Sequence, residues 1–184
     1  MFSIVAPSLT LCMTNPQCKW KRKREMRLAV HQSGHSIVRY LSPSIDSERI
    51  VSIKNHKPEE VFDDSHIWNH VMKQRIMVGM GGYICEEIFF GYDDVSNEAY
   101  MDYQHVRKIC LAIAEKSGCV AYSDIIDKKL AVVCECHENV YELLTKNMHI
   151  VVGLIPEIMQ RETLSSDEVD NIIKRLELED VFEA

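Results

Sequence analysis

The chain has 184 residues, which is enough for one domain with its own core and too few for two ordinary domains. Hydrophobic residues make up 46% of it and charged residues 27%, proportions that exclude a disordered chain. The formal net charge of -7 argues against a general nucleic-acid binder, so we expect no nucleic acid among the partners.

Residues 1–24 are interpreted as an N-terminal arm, and residues 25–184 as the main domain. The arm opens with the apolar stretch "MFSIVAPSLTLCM", which is too short to span a bilayer, so no stable membrane anchor is expected. It closes with the basic run "KWKRKR", interpreted as a solvated helix start rather than a phosphate clamp. The seven cysteines lack the spacing of a disulfide framework, which predicts the cytoplasm or another reducing compartment.

The first predicted helix runs over Glu25–Leu41 and ends before a Ser-Pro pair. Within it, "AVHQSGHSIVRYL" carries His31 and His35 one helical turn apart, so that both imidazoles can approach a common point. Zinc accepts neutral imidazole at about 2.0–2.1 Å and suits such a pair. The spacing alone is modest support for a metal site. The residues expected to face the core are Met26, Ala29, Val30, Ile37 and Leu41.

A short strand is predicted at Glu48–Asn55, where β-branched residues cluster, and we expect it at the edge of a very small sheet. Next, Asp64–Phe90 has the apolar spacing of one long helix or a kinked pair. Gly81 and Gly82 weaken this helix locally, a feature typical of close helix packing.

After the turn-like segment "GYDDVSNEAY", a helix is predicted over Met101–Gly118, with the final glycine as its C-cap. Another helical segment runs over about Lys128–Arg161, and Pro156 is expected to kink or split it. A closing helix begins after Ser165 or Ser166 as N-cap, with acidic residues in its first turn. The predicted fold class is therefore mainly α, with a small β element.

Five segments in order resemble one known family. They are "MRLAVHQSGHSIVRYLSP", "ERIVSI", "IMVGMGGYICEEIFFG", "MDYQHVRKICLAIAEKSG" and "ELLTKNMHIVVGLIPEIMQRETLSSDEV". Together they are similar to the peptidase domain of the FtsH family of ATP-dependent zinc metalloproteases, whose signature is H-E-x-G-H. The resemblance covers nearly everything from Met26 to Leu176 and implies a helical FtsH-type metallopeptidase domain with a small β element.

The resemblance also implies a ligand set for Zn2+. The family's two histidines fall on His31 and His35, and its third ligand, an aspartate, falls on Asp102. Glu86 and Glu87 match a Glu-Glu pair of the family; either they orient the ligand helix as hydrogen-bond acceptors or they form plain ion pairs. The fallback third ligands are Asp93, Asp94 and Glu98.

Other metal-type residues carry a weaker signal. Cys134, Cys136 and His137 resemble a metal motif, but positions i, i+2 and i+3 of a helix do not converge on one ion. The histidines without a distinctive partner spacing are His56, His66, His70, His105 and His149.

The chain departs from the family at the position of the general base, where Gln32 replaces the glutamate that takes a proton from water. An amide cannot accept that proton at neutral pH, and general-base catalysis contributes about 10²–10⁴ in rate. The stretch after "VSI" is also shorter than in the family and lacks its glycine-containing edge strand, where an extended substrate would add. No G-x-x-x-x-G-K-[ST] motif occurs, so no ATP binding is expected.

Three hypotheses follow for a chain whose partner would be a polypeptide substrate or another protein. The first is a zinc metalloendopeptidase-like domain in which Gln32 is an engineered replacement for glutamate. The second is a natural pseudoprotease that keeps the zinc site and binds a peptide without cutting it. The third is a helical interaction module whose histidine pair binds no metal. In the first two cases the sequence as written predicts little or no peptide hydrolysis, and a monomer or small oligomer is expected.

Overall fold

The computed structural model describes residues 16–42, 51–53, 69–116 and 122–183. This part of the chain contains six α-helices, one 3-10 turn (Tyr92–Asp94) and one two-stranded antiparallel sheet, which confirms the predicted class. The helices are α1 (Pro16–Tyr40), α2 (Asn69–Phe90), α3 (Asn97–Lys116), α4 (Tyr122–Lys146), α5 (Met148–Arg161) and α6 (Ser166–Glu183). The strands are β1 (Val51–Ser52) and β2 (Thr163–Leu164).

Helix α1 is longer than predicted, because it begins at Pro16 rather than Glu25. Proline is favoured in the first turn of a helix, where its missing N–H costs nothing. The basic run therefore lies inside the helix, and its residues 21–24 are exposed. The apolar N-terminal stretch of residues 1–15 lies outside the described residues.

The second half of α1 is the centre of the fold, since every residue from 28 to 38 is buried. The helix packs most closely against α2 and also contacts α4, α5 and α6. Ala29, Val30 and Ile37 face the core as predicted. The prediction was wrong for Met26, which precedes the buried stretch, and for Leu41, which follows the helix, since they are 45% and 36% exposed. A helix enclosed on all sides must satisfy any polar side chain from within the protein.

Four of the five buried polar side chains of this stretch fall into two groups. Ser33 and Ser36 donate hydrogen bonds to carbonyls one turn back on the same helix, at 2.8 Å each. The histidines His31 and His35 instead bond to groups on other helices. The buried polar residues of α1 are His31, Gln32, Ser33, His35 and Ser36.

Helices α1 and α2 cross backbone to backbone at their glycines. A Cβ atom added to Gly34 would lie 2.2 Å from the carbonyl oxygen of Gly81, so no side chain fits between the helices at that point. The close packing predicted from the glycine pair of α2 is confirmed. Residues 64–68 of the predicted helix lie outside the described part, as does the predicted C-cap Gly118.

The expectation that Pro156 would split the helical segment was wrong, because the segment divides at Asn147 instead. Asn147 has φ -107° and ψ 26°, and its side-chain amide donates to the Leu143 carbonyl at 2.8 Å. Pro156 lies within α5 on its exposed side, beside Val152, which is 54% exposed. The Val152 carbonyl, which has no N–H partner at Pro156, can therefore hydrogen-bond to water, and this lowers the energetic cost of the proline.

The small sheet joins the segment after α1 to the turn before α6. Val51 pairs with Leu164 and Ser52 with Thr163 in antiparallel register. The outer parts of the predicted strand, residues 48–50 and 54–55, lie outside the described residues. Among the described helices, none is both long and apolar enough to cross a membrane.

Helix α6 has Ser165, one of the two predicted candidates, as its N-cap, and this cap is reciprocal. The Glu168 carboxylate accepts a hydrogen bond from the Ser165 backbone N–H at 2.8 Å, and Ser165 Oγ accepts one from the Glu168 N–H at 3.4 Å. Asp167 and Glu168 supply the predicted acidic first turn. This capping box fixes where the chain leaves the sheet and enters the last helix.

Candidate metal centre

Three buried side chains from two helices bring their ligand atoms together. His31 and His35 extend from α1, and Asp102 extends from the second turn of α3. The Nε2 atoms of the two histidines are 3.0 Å apart. One Asp102 oxygen, Oδ2, lies 3.0 Å from His31 Nε2 and 3.1 Å from His35 Nε2. The three atoms thus form a nearly equilateral triangle in which each could contribute one ligand to a single ion.

The other ring nitrogen of each histidine is held by α2. Nδ1 of His35 lies 2.6 Å from the backbone carbonyl of Val78, and Nδ1 of His31 lies 3.1 Å from Glu86 Oε1. A carbonyl oxygen and a carboxylate oxygen can only accept, so each Nδ1 donates its N–H. In the neutral imidazoles the lone pair is then on Nε2, which is the form that binds a metal.

Glu86 is the centre of a wider hydrogen-bond network, and its side chain is fully buried. Besides His31, its carboxylate accepts from the Ser96 backbone N–H at 2.9 Å and from Ser96 Oγ at 2.8 Å. The Arg27 guanidinium donates to it at 3.1 Å. Arg27 also pairs with Asp94 Oδ2 at 3.0 Å and lies over the Phe90 ring, 4.2 Å from its centroid.

Ser96 connects this network to the helix that carries the aspartate. Its hydroxyl oxygen accepts the Ala99 N–H at 3.2 Å, so it serves as the N-cap of α3 while donating to Glu86. One glutamate therefore orients His31 and also holds the start of the helix that positions Asp102. Ser96 could have been identified from the sequence, as a serine just before a helix start. Arg27 has no such sequence signal.

The charges of the centre shift its proton equilibria. Burial lowers the pKa of His31, but the carboxylates of Asp102 and Glu86, which accept hydrogen bonds from the ring, outweigh burial and raise that pKa above its ordinary value. Burial raises the pKa of Asp102, yet hydrogen bonds from His31 and His35 hold it well below the ordinary range. Burial also raises the pKa of Glu86, and the bonds from His31 and Ser96 reverse the shift. Both carboxylates are therefore ionised at neutral pH.

Gly82 leaves the room that the two imidazoles occupy. A Cβ atom at this position would lie 2.4 Å from His31 Cε1 and 2.5 Å from His35 Nε2. Any larger residue would displace at least one ring. The requirement for glycine at this position comes from close approach to the rings.

The remaining candidate residues lie away from the triangle. Glu87 lies on a different face of α2, and its carboxylate is 3.0 Å from His137 Nε2 on α4, so of the two glutamates Glu86 is the one in contact with a histidine of the triangle. Asp93 is exposed, Asp94 binds Arg27, and Glu98 lies 3.8 Å from Arg24.

The cysteines Cys134 and Cys136 do not join the triangle. Cys134 is exposed on α4 and Cys136 is buried in the core, both as free thiols. Among the described residues, the histidines and aspartate of the triangle are the one group with metal-ligand spacing. His56 and His66 lie outside the described part of the chain.

The donor set fits zinc. Two neutral imidazole nitrogens and a carboxylate oxygen are its ordinary ligands, and a tetrahedral ion with bonds of about 2.0–2.1 Å separates its ligand atoms by about 3.3 Å. The observed spacings of 3.0–3.1 Å need only a small expansion. Three lone pairs pointing at one another in a buried site repel unless a proton or a cation lies between them. Gln32, next to His31 in the sequence, is buried, at 2% exposure.

Sequence comparison identifies relatives of one type, while no family model matches the chain. The ATP-dependent zinc metalloprotease YME1L1 of Rattus norvegicus is 24% identical over 181 residues, covering 85% of this chain and 25% of the relative. The ATP-dependent zinc metalloprotease FtsH of Aster yellows witches'-broom phytoplasma is 23% identical over 189 residues, 87% of this chain and 27% of the relative. FtsH 3 of Synechocystis sp. is 24% identical over 191 residues, 82% of this chain and 31% of the relative. These matches confirm the resemblance, and the chain spans a quarter to a third of their length.

Proposed function

We propose that the chain is a peptidase-like domain of FtsH type that binds zinc and engages polypeptides but hydrolyses them little or not at all. His31, His35 and Asp102 are the proposed ligands, and Gln32 occupies the position of the general base. The observation that carries the proposal is the buried triangle of two Nε2 atoms and one Oδ2 atom, 3.0–3.1 Å apart. The zinc metalloprotease relatives support a domain of the proteolytic type.

Bound zinc would supply Lewis-acid chemistry by polarising a carbonyl oxygen. The protein's own residues hold the donors in place: Glu86 and the Val78 carbonyl keep the hydrogen on Nδ1 of each histidine, and Ser96 anchors the helix of Asp102. Gln32 can donate or accept a hydrogen bond but cannot take up a proton at neutral pH. The site thus has the residues for binding the metal and lacks the group that would use it for hydrolysis.

Metal analysis and a peptidase assay together test the proposal. The parent protein purified without chelator should contain about one zinc per chain, and His35→Ala should contain almost none. With a library of quenched fluorescent peptides, the parent should show little cleavage, and Gln32→Glu should show measurable cleavage that a chelator abolishes. Gln32→Ala is the matched control, since it removes the amide without adding a base.

Two outcomes would contradict the proposal. Equal zinc content in parent and His35→Ala, or none in either, would favour a helical interaction module without a metal. Chelator-sensitive cleavage by the parent would show that a residue other than Gln32 acts as the base. If Gln32→Glu binds zinc and yet cuts nothing, the chain is a pseudoprotease whose substrate cleft is also lost.

A further inference from the structure

Two hollows lie side by side along α3 and share Tyr103 and Arg107. The larger, of about 470 Å³, lies between α2, the 3-10 turn and α3. The smaller, of about 200 Å³, lies between α3 and α4. We call them together the tyrosine groove. Its aromatic and aliphatic lining includes Tyr83, Tyr92, Tyr100, Ile126, Leu130 and Val133.

The tyrosine groove is separate from the metal centre. Tyr100, Tyr103 and Arg107 are spaced by three and four residues, so they share one face of α3. Asp102 points about 100° away from Tyr103 around the helix, and it is 1% exposed in the interior. The body of α3 therefore lies between the groove and the proposed zinc ligands.

The charge of the groove is opposite to that of the whole chain. Its charged lining residues are Arg107 and Lys129, and within the described part of the chain no aspartate or glutamate lines either hollow. In a chain of net charge -7 this is an unusual local excess of positive charge. Arg107 is exposed, and no carboxylate among the described residues pairs with it. By contrast, the Arg27 guanidinium is fully engaged within the protein.

The groove also presents apolar surface to solvent on both sides of Arg107. Tyr83 and Tyr103 stack with their ring centroids 4.7 Å apart and form one wall. Tyr92 and Tyr100 are 72% and 51% exposed at one end, and Leu130 is 59% exposed at the other. Exposed tyrosines beside an arginine are enriched where proteins bind other proteins.

We propose that the tyrosine groove binds an acidic peptide segment in which a carboxylate lies next to aromatic or large aliphatic side chains. The carboxylate pairs with Arg107 at the junction of the two hollows, and the apolar side chains enter the hollows on either side. Two cations are too few to hold a nucleic-acid backbone against a net charge of -7, which favours a peptide. This site does not depend on zinc or on hydrolysis.

Fluorescence anisotropy on the full 184-residue chain tests the proposal. The probe is a fluorescein-labelled eight-residue peptide that alternates glutamate with phenylalanine or leucine. A second peptide with lysine in place of glutamate and a labelled single-stranded oligonucleotide serve as comparisons. The acidic peptide should bind, and more weakly as salt is added, while the other two should not.

The variants distinguish binding in the tyrosine groove from attraction by the net charge of the protein. Arg107→Glu should weaken binding of the acidic peptide by about tenfold or more, and Arg107→Lys should keep part of the affinity. Lys174→Glu, an exposed charge reversal on α6, is the matched control and should change affinity less than about twofold. Zinc content should be the same in all four proteins, which keeps this test independent of the metal site.

Several results would overturn the assignment. Equal affinity of Arg107→Glu and Lys174→Glu would mean that net charge, not the groove, attracts the peptide. Tighter binding of the oligonucleotide would assign the groove to nucleic acid. Self-association of the parent in sedimentation experiments, lost in Arg107→Glu, would assign it to a second copy of the chain.

Discussion

Replacing Gly82 with alanine should remove zinc binding while leaving the protein folded. The added Cβ would lie 2.4 Å from His31 Cε1 and 2.5 Å from His35 Nε2, where ordinary contacts are 3.4–4 Å. At least one imidazole must therefore move by about 1 Å, and metal sites tolerate about 0.2 Å. Moving α1 and α2 apart instead would break the close backbone contact between Gly34 and Gly81.

The cost in stability should be small by comparison. Overpacking costs about 1–3 kcal/mol, and alanine in place of glycine within a helix returns about 0.5–1 kcal/mol. The net loss in the free energy of unfolding is then about 1–2 kcal/mol without metal. Zinc affinity should fall by about 100-fold or more, since losing a well-placed ligand affects the metal directly.

Gly153→Ala is the matched control for this substitution. Its Cβ would meet only the end of the Leu176 side chain, at 2.7 Å from Cδ2, and that side chain can turn aside. Zinc affinity, measured by competition with a chelator of known affinity, should be unchanged in Gly153→Ala. Urea unfolding with and without zinc supplies the stabilities. Parent-like zinc affinity in Gly82→Ala would refute the close approach on which this reasoning rests.

Two further substitutions test the network and the core. Glu86→Gln should lower zinc affinity by about 10–100-fold, because an amide cannot accept from all of its present donors; Glu87→Gln, with the same charge change, should not. Burial raises the pKa of the Cys136 thiol to about 11, against about 8.5 in an unfolded chain. Its contribution to stability is therefore fully present below pH 8.5 and lost as pH rises toward 11. Between pH 9 and 10.5, the unfolding free energy of the parent should fall by about 1 kcal/mol per pH unit more than that of Cys136→Ala, and parallel profiles would contradict this.

The parts of the site differ in how far the sequence could predict them. Helical spacing alone predicts that His31 and His35 lie on the same face of α1. Asp102 is 67 residues further along the chain than His35, and no spacing rule connects them. Only the ordered family resemblance pointed to that residue. Neither helical spacing nor the family resemblance could predict the role of Arg27. That role depends on the Glu86 carboxylate and the Phe90 ring, both from a distant segment, contacting its guanidinium.

The division of the helical segment shows a different limit. Proline is the strongest helix breaker by propensity, so the sequence favoured Pro156 over Asn147 as the break. The cost of an internal proline depends on whether the carbonyl that it leaves unpaired can reach water. At Pro156 it can, because that side of α5 is exposed. Predicting that Pro156 is tolerated requires knowing which face of α5 is covered, and that is decided by tertiary packing.

The choice between Glu86 and Glu87 could have been made from helical geometry. Adjacent residues on a helix point about 100° apart, so only one of the pair can face α1. The residue four positions before Glu86 is Gly82, which lies against the histidine rings. The members of α2 that contact α1 recur at the spacing of a single helix face: Val78, Gly81, Gly82, Cys85 and Glu86. Glu87 is one step off this face and reaches α4 instead. Once the glycines are taken as the crossing point with the histidine helix, the spacing assigns the buried carboxylate to Glu86. The hydrogen bonds from His31 and Ser96 explain how that carboxylate stays ionised there, because they lower its pKa despite burial.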